Sequence, residues 1–187
     1  MEFSSEELVN RINSTRAGSI WDVLDITVVT AEKEKVVASM PIGPNQRQQA
    51  GYLHGGASLV LAESVASLGT ALNIDMDRQM AFGLEINANH LRPKRDGRLT
   101  AAGIPVHRGH TTYVWDIRIS DENDKLICIS RCTVAVVDRP PDNGNPLKRD
   151  IPSFGYIGRY LVSQRVPGSQ LSIYILVYYY INVVMVY

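Results

Sequence analysis

AGYLHGGASLVLAESVASLGTALN, residues 50–73, is the segment of this 187-residue sequence with the clearest structural pattern. Apolar side chains recur in it at three- and four-residue steps, the spacing of a buried helical face; they are Leu61, Val65, Leu68 and Leu72. A second stripe of small residues would let another backbone approach closely; its members are Ala62, Ala66 and Gly69. We therefore predict one long helix that is buried inside its domain.

A single carboxylate, Glu63, interrupts this apolar helix. A buried charge without a partner is costly, so an acid at this position indicates either a partner or a chemical role. The helix starts at His54-Gly55-Gly56, where free backbone N–H groups and the positive end of the helix dipole favour an oxyanion. Gly55 and Glu63 are eight residues apart, which corresponds to roughly 12 Å along the helix axis.

One carbonyl group cannot contact both Gly55 and Glu63 of the same helix, because attack needs a distance of about 3–3.5 Å. If both residues act on one carbonyl, they must come from two antiparallel copies of the helix. A two-fold homodimer provides this arrangement twice. Ser67 lies four residues after Glu63, shares its helical face, and is a candidate to orient the carboxylate or a water molecule. The spacing thus predicts hydrolysis at a carbonyl group across a dimer interface.

Composition excludes several functional classes. With 187 residues, 45% of them hydrophobic, the chain can bury one good core. Its formal net charge is +0 at pH 7, so there is no general attraction to nucleic acid or anionic membrane. Cys128 and Cys132 are too far apart along a predicted strand for a disulfide, and no residue pair has zinc-ligand spacing. No signal peptide is visible in residues 1–10, so we expect a reduced, cytoplasmic protein without a metal.

The order of the remaining elements predicts an α+β fold. A short helix is expected over Ser5–Ile12, followed by strands over Trp21–Ala31 and Lys35–Ile42. Four strands are expected after the long helix: Met80–Arg92, Arg98–His107, Thr111–Ser120 and Lys125–Val137. In the first of these, one face should carry Leu84, Ile86 and Ala88, and the other Glu85, Asn87 and Asn89. Such a meander suits an antiparallel sheet that covers one helix.

This order and three motifs resemble the hotdog-fold acyl-CoA thioesterases. The motifs are His54-Gly55-Gly56-Ala57-Ser58, Leu61-Ala62-Glu63-Ser64 and Gly83-Leu84-Glu85-Ile86-Asn87-Ala88-Asn89-His90. They look like those of the phenylacetate-degradation and 4-hydroxybenzoyl-CoA thioesterase type. Within this type the chain is most similar to enzymes that hydrolyse 1,4-dihydroxy-2-naphthoyl-CoA in menaquinone biosynthesis, and to the proofreading thioesterase of siderophore synthesis. The resemblance covers Trp21–Val137 and implies a curved antiparallel sheet wrapped around one long central helix.

The resemblance also implies a role for each residue of the candidate site. The Gly55 N–H would polarise the thioester carbonyl, and Glu63 of the opposite subunit would act as nucleophile or as general base for water. Gln48 and His54 would contact the thioester and the leaving group, and Ser67 would position water or the carboxylate. Coenzyme A would arrive as part of the acyl-CoA substrate, so no cofactor is implied. The assembly implied is a homodimer, and further a homotetramer of two dimers.

Each of these residues has a simpler alternative. Glu63 could be a partly exposed helix acid, His54 could only cap or pack against the helix, and Ser67 could be a small packing residue. Basic residues beside two predicted turns are candidates to hold the nucleotide phosphates of coenzyme A, although such clusters are also typical of solvated surfaces; they are Arg92, Arg108 and His110. Two further candidates for substrate contact are His90, at the end of a strand, and Leu68.

Residues 1–138 are predicted to form the thioesterase domain, and residues 139–187 a linker with an atypical apolar tail. Arg139–Pro152 has the Pro, Gly and Asn content of a linker. Leu171–Tyr187 favours strand over helix and is short for a membrane span. The tail could be a docked strand, a weak membrane-surface anchor or an extension without function; we prefer the last and expect no membrane contact.

Two other functions are compatible with a hotdog fold. A hydratase or dehydratase would need a catalytic histidine and aspartate suited to a β-hydroxyacyl chain, and the helix that carries Glu63 lacks this pattern. A non-catalytic acyl-CoA-binding protein would bind the ligand without releasing free thiol.

Overall fold

The computed structural model describes residues 4–139, 161–165 and 172–176. Its helices are α1 (Ser5–Ser14), α2 (Ile20–Val23) and α3 (Gly55–Ala71), with a 3-10 turn over Pro44–Gln46. Its strands are β1 (Thr27–Ala31), β2 (Val36–Pro41), β3 (Gln79–His90), β4 (Arg98–Arg108), β5 (Thr112–Asp121), β6 (Leu126–Asp138), β7 (Leu161–Arg165) and β8 (Ser172–Leu176).

Strands β1 to β6 form one sheet in the order β1-β2-β4-β5-β6-β3. Every neighbouring pair in this sheet is antiparallel. Helix α3 contacts strands β2 to β6, and its buried apolar residues belong to the core between helix and sheet. The predicted α+β layout, an antiparallel sheet around one long helix, is confirmed.

Glycines at the contact between α3 and the sheet bring the two layers together. A β-carbon on Gly69 would overlap the ring of Trp115, which is fully buried and donates its Nε1–H to Thr70 Oγ1 at 2.9 Å. A β-carbon on Gly103 of β4 would meet Val65 of α3 at 2.5 Å. The small-residue stripe predicted on α3 therefore exists, but a tryptophan side chain fills it where we expected a second backbone.

The prediction of a strand over Trp21–Ala31 is wrong in its first half. Residues Ile20–Val23 are helical, because Ser19 caps the helix and accepts a hydrogen bond from the Trp21 N–H at 3.2 Å. Asp25 then adopts a left-handed conformation with φ 52°, so the chain turns before β1 begins. The predicted helix α1 and the other predicted strands are confirmed, with their ends within the usual one or two residues.

A bulge in β3 corrects the predicted alternation of that strand. The pairing with β6 shifts between Gly83 and Glu85, so Leu84 has no partner on β6 and is 57% exposed. Ile86 and Ala88 pack against the core as expected. A bulge inserts one residue and turns the following side chains to the other face, which periodicity alone does not reveal.

The two edges of the sheet differ. At the β1 edge, the Asn13 side chain accepts from the Val28 N–H at 2.8 Å and donates to the Val28 carbonyl at 2.9 Å. At the other edge, β3 is 12 residues long and has no neighbouring strand on its outer side in the six-stranded sheet. A long uncovered edge strand is a template for pairing with another chain.

Two further predictions concern the cysteines and the tail. Cys128 and Cys132 are both buried and carry free thiols, which agrees with the spacing argument against a disulfide between them. Strands β7 and β8 pair as a two-stranded sheet, which agrees with the strand preference predicted for the tail over Ser172–Leu176. The rest of the predicted linker and tail after residue 139 lies outside the described residues, and the domain boundary stays a prediction. Within residues 4–139 and the two described tail strands, no helix is long and apolar enough to cross a membrane.

Candidate active site

A cavity of about 630 Å³ lies at the N-terminal end of α3. Its lining contains four residues of the predicted site, Gln48, Gly55, His90 and Arg92. The lining residues that sequence reasoning missed are Tyr52, Leu53, Leu91, Pro93 and Lys94. They come from the segments directly before α3 and directly after β3, which the sheet brings together. The volume is in the range of small-molecule sites.

His54 is the N-cap of α3. Its Nδ1 accepts a hydrogen bond from the Gly56 N–H at 2.9 Å, and its own N–H donates to the Gln46 carbonyl at 2.8 Å. In the described part of the chain, no acceptor takes the Gly55 N–H. Helix starts carry a partial positive charge. The Gly55 N–H is therefore a free donor at the cavity wall, while His54 has the capping role that the sequence left open.

His90 and Gln48 complete this side of the cavity. The His90 imidazole lies against Gly55, since a β-carbon on Gly55 would be 3.1 Å from His90 Cε1. Gln48 uses its Oε1 to accept from the Ala50 N–H at 2.6 Å, which fixes the side chain and leaves the Nε2 group as a donor.

The resemblance selects Gln48 and not its neighbour Gln46, a choice that the spacing of the residues does not make by itself. Gln46 is buried; its Nε2 donates to the Leu24 carbonyl at 2.7 Å, and its Oε1 accepts from the Gly43 N–H at 2.9 Å. Gln46 thus supports the loop before α3, and Gln48 is the glutamine that faces the cavity. The segment between β2 and α3 is irregular, so no periodicity in it could separate the two.

Glu63 does not line this cavity. It lies about two turns further along α3, is 6% exposed, and receives no hydrogen bond from any described residue. Burial raises the pKa of its carboxyl group. Ser67, one turn later, is half-buried and makes no hydrogen bond through its side chain within the described residues, and Leu68 packs against the core. Within one chain, Gly55 and Glu63 therefore stay apart, as their spacing predicted.

Among the described residues, no hydrogen bond or ion pair neutralises the charge of Glu63. A β-carbon on Gly83 of β3 would overlap Glu63 Oε1, so the carboxylate lies directly against that glycine. Burial raises the pKa of the Cys132 thiol to about 12, and the carboxylates of Glu63 and Glu85 add to the rise. An uncharged thiol and a glycine do not neutralise a carboxylate. Burial of the ionised Glu63 side chain therefore costs free energy. Sequence reasoning missed Gly83 and Cys132, because their approach depends on strand register.

The basic candidates fall into two groups. Arg92 lies at the cavity and donates to the Leu126 carbonyl. Arg108 forms an ion pair with Glu34 at 3.5 Å at the start of the turn between β4 and β5, and His110 lies within that turn. This turn is at the end of the sheet where α3 finishes, since Tyr113 Oη donates to the Asn73 carbonyl at 3.5 Å. Arg108 and His110 do not line the cavity of their own chain.

Lys94, although it lines the cavity, is committed to an ion-pair cluster. Its Nζ lies 2.9 Å from Glu122 Oε1 and 3.4 Å from Asp121 Oδ2, and its side chain is 12% exposed. The hydrogen bond to Glu122 is the main reason that the pKa of Lys94 is raised. Lys94 therefore fixes the β5–β6 turn against the segment after β3 and has little freedom to hold a ligand.

Known proteins resemble this chain over the same region. The sequence pattern of the thioesterase superfamily matches residues 50–128. A 1,4-dihydroxy-2-naphthoyl-CoA hydrolase of Listeria monocytogenes is 50% identical over 117 residues, which are 63% of this chain and 94% of that protein. A mutant thioesterase of Pseudomonas aeruginosa has a crystal structure that matches with a TM-score of 0.68 at 44% identity, covering 70% of this chain and 94% of the other.

A third relative is a thioesterase of Staphylococcus aureus, 42% identical, whose structures match with TM-scores of 0.63 and 0.61. They cover 64% and 63% of this chain and 99% and 97% of the other. One structure carries a glutamate-to-alanine substitution and the other a glutamine-to-alanine substitution. The two substituted positions are fifteen residues apart, the separation between Gln48 and Glu63 in this chain.

Proposed function

The chain belongs to the thioesterase superfamily of hotdog-fold enzymes and hydrolyses acyl-CoA thioesters, and we propose that it acts as a homodimer on an aromatic acyl-CoA. The proposed acyl group is of the 1,4-dihydroxy-2-naphthoyl class, with a place in menaquinone biosynthesis. The 50% sequence identity with the Listeria monocytogenes hydrolase supports this choice of acyl group. The names of the relatives favour hydrolysis over the hydratase and the non-catalytic alternatives.

The main support for a site shared by two protomers is that Glu63 lies outside the cavity that Gly55 lines in the same chain. Two contacts with β3 relate the two groups: Gly83 lies against Glu63, and His90 lies against Gly55. An antiparallel copy of β3, paired about an axis near Ile86, would bring Gly83 of one chain opposite His90 of the other. Glu63 of one protomer would then approach the helix start of its partner. The outer edge of β3, which pairs with no strand among the described residues, supports this pairing.

The reaction follows from these groups. Glu63 removes a proton from a water molecule that attacks the carbonyl carbon, or attacks that carbon itself, and the Gly55 N–H stabilises the negative oxygen that forms. The carbon–sulfur bond then breaks, and the thiolate of coenzyme A leaves and takes up a proton. When water attacks, this releases the acid directly; when Glu63 attacks, it leaves an anhydride on Glu63, which water hydrolyses to release the acid and restore the carboxylate. Gln48 contacts the thioester, and His54, whose Nδ1 caps the helix, contacts the leaving group through its Nε2. Ser67 positions the water. Water is the only co-reactant, so the proposed reaction needs no metal and no separate cofactor.

The proposed dimer also gives the basic residues a role. In antiparallel helices, the end of one α3 lies beside the start of the other. The turn with Arg108 and His110 would therefore reach the cavity that holds Arg92 of the other protomer. The three basic side chains would then meet the phosphates of coenzyme A, while His90 lines the pantetheine channel beside Leu68 of the other protomer.

We also propose that two dimers form a tetramer and that the protein works in the cytoplasm. The buried free thiols and an acyl-CoA substrate support the location.

An assay of thiol release over a panel of aromatic and aliphatic acyl-CoAs tests the substrate. We expect kcat/KM to be highest for bicyclic aromatic hydroxyacyl groups and lowest for short aliphatic ones. Equal or higher values for the aliphatic thioesters would reject the aromatic assignment.

A heterodimer with one substitution in each chain tests the shared site. Glu63→Gln removes the acid, and Gly55→Pro removes the N–H donor, so each homodimer should be inactive. In a purified heterodimer with two different tags, one of the two sites keeps both groups, and activity should return to about half of the wild-type value. A heterodimer as inactive as its parents would reject a site built from two chains.

A further inference from the structure

Position 83 has no room for a side chain, whereas its backbone conformation does not require glycine. The glycines with left-handed φ angles in the described residues are Gly18, Gly51 and Gly97, and Gly83 is not among them. Its backbone therefore accepts an alanine. A β-carbon at this position, however, would overlap Glu63 Oε1 and lie 3.2 Å from Glu63 Cδ. The space that an alanine methyl group would fill is occupied by the carboxylate of α3.

No hydrogen bond from a described residue fixes the Glu63 carboxylate. A glutamate side chain has three rotatable bonds, so without a polar partner its direction is set by packing. The buried carboxylate lies against the bulged segment of β3, where the register shifts between Gly83 and Glu85. The shape of this segment therefore decides where the carboxylate stands relative to the rest of the site.

We propose that Gly83 is a positioning residue for Glu63: its missing side chain leaves the space that holds the carboxylate at its working distance from the thioester carbon. The inference rests on the proposed catalytic role of Glu63. A methyl group at position 83 would push the carboxylate away by the order of 1 Å, and a displacement of this size can cost about a hundredfold in rate. Substrate binding, which depends on the cavity at the start of α3, should change much less.

The test is a double-mutant cycle of Gly83→Ala and Glu63→Asp. We expect Gly83→Ala alone to lower kcat by roughly tenfold or more and to change KM less than about threefold, because a misplaced catalytic group slows the chemical step and leaves substrate binding largely intact. Aspartate is shorter by one methylene and does not reach the added methyl. The Gly83→Ala/Glu63→Asp protein should therefore be as active as Glu63→Asp alone. Losses that multiply, or a Gly83→Ala enzyme with normal kcat, would overturn the proposal.

Gly103→Ala is the matched control. Gly103 also lies on a strand beneath α3, but its β-carbon would meet Val65 and not Glu63. We expect its effect on kcat, whatever its size, to multiply with that of Glu63→Asp. If Gly103→Ala couples to Glu63→Asp as strongly as Gly83→Ala does, the cycle measures a general loosening of the helix. The proposal would then fail.

Stability provides a second measurement if Gly83→Ala folds poorly. The same substitution is then made in a Glu63→Ala background, where the carboxylate is absent. We expect the drop in Tm caused by Gly83→Ala to be at least halved in that background, because the overlap is removed. An equal drop in both backgrounds would assign the glycine to the strand itself and overturn the proposal.

The outcome also separates this inference from the proposed function. If Glu63→Gln hydrolyses acyl-CoA at the wild-type rate, the role of Glu63 is wrong and the positioning role falls with it. If Glu63→Gln is inactive and Gly83→Ala is fully active, only the positioning role is wrong.

Discussion

His54 Nδ1 accepts the Gly56 N–H at 2.9 Å, and this bond leaves the neighbouring Gly55 N–H free at the cavity wall. The capping bond and the free donor are therefore parts of one arrangement. The cap satisfies the second N–H of the helix, that of Gly56, and holds the helix start in a fixed direction, so that the first N–H, that of Gly55, points at the cavity without an acceptor among the described residues.

The cap predicts different stabilities for two substitutions of His54. His54→Ala removes the acceptor and should lower the free energy of unfolding by about 1 kcal/mol, whereas His54→Asn can accept the same N–H and should stay within a few tenths. Urea unfolding of both variants and the wild type measures the difference. Equal losses of stability would show that the imidazole ring packs and that its capping bond contributes little.

The free donor predicts that proline and alanine at position 55 differ in activity. Proline suits the first position of a helix, and His54 has the extended φ −76° and ψ 128° that a following proline requires. Gly55→Pro therefore removes the N–H with little change of the backbone and should lower kcat by about 10²–10³. Gly55→Ala keeps the N–H and adds a β-carbon against His90, so it should mainly raise KM.

Single-turnover hydrolysis of a benzoyl-CoA analogue separates these effects. The alanine variant controls for the crowding of His90. If proline and alanine lower kcat by the same factor, the Gly55 N–H does not stabilise the oxyanion.

The raised pKa of Glu63 predicts the acid limb of the pH profile. The carboxylate must be ionised to act as base or nucleophile, and burial moves its pKa above the ordinary value of 4.5. We expect kcat/KM to fall tenfold per pH unit below this raised pKa. Gly83→Ala and Glu63→Asp, which alter the burial of the carboxylate, should move the limb. A limb that stays at the same pH in both variants would assign it to another group.

The ionised form of Glu63, which the reaction requires, should lower the stability of the folded protein. A carboxyl group whose pKa is higher in the folded than in the unfolded state favours folding when protonated, and this advantage is lost as pH rises through the folded-state pKa. At pH 7.5 the ionised Glu63 is therefore a destabilising group. Glu63→Gln should melt at or above the wild-type temperature at pH 7.5, and this gain should disappear near pH 4.5. A lower Tm for Glu63→Gln at pH 7.5 would mean that a favourable partner neutralises the carboxylate in the assembled protein.

The parts of this molecule that follow from local pattern were predictable from the sequence. The helical periodicity of residues 50–73 predicts α3, and the rise per residue of a helix is enough to place Gly55 and Glu63 apart on its axis. Both depend only on residues that are close in sequence. The same holds for the β4–β5 and β5–β6 hairpins, whose turns are polar and short.

The parts that depend on register were not predictable. Gly83 lies against Glu63, and Cys132 is near enough for the Glu63 charge to raise its pKa, because β3 pairs with β6 through a bulge at Leu84. A shift of one residue would bring other side chains there. Residue pattern alone does not separate Gln46 from Gln48, because they have the same chemistry and differ only in their direction from an irregular loop; the choice of Gln48 came from the family resemblance. The helix α2 depends on one cap, Ser19, inside a stretch of β-branched and aromatic residues that favours strand.

The proposed phosphate contacts predict that the nucleotide part of the substrate carries the salt dependence. Ion pairs with exposed arginines weaken as salt screens them, with a Debye length of about 10 Å at 0.1 M and about 3 Å at 1 M. KM for an acyl-CoA should therefore rise several-fold between these salt concentrations, while KM for the matching acyl-pantetheine, which lacks the nucleotide, should stay constant. Arg108→Ala should raise KM for the acyl-CoA at low salt and reduce its salt dependence.

Arg118→Ala is the control for this prediction, because Arg118 is exposed on the sheet and faces Asp116 at 4.0 Å, away from the cavity lining. It removes the same charge and should leave both KM values unchanged. If Arg118→Ala and Arg108→Ala raise KM equally, the effect comes from the overall charge of the protein, since a general field acts on any anionic substrate. If neither substitution matters, and KM does not depend on salt, the phosphates of coenzyme A lie in solvent, and the cavity holds only the pantetheine arm and the acyl group.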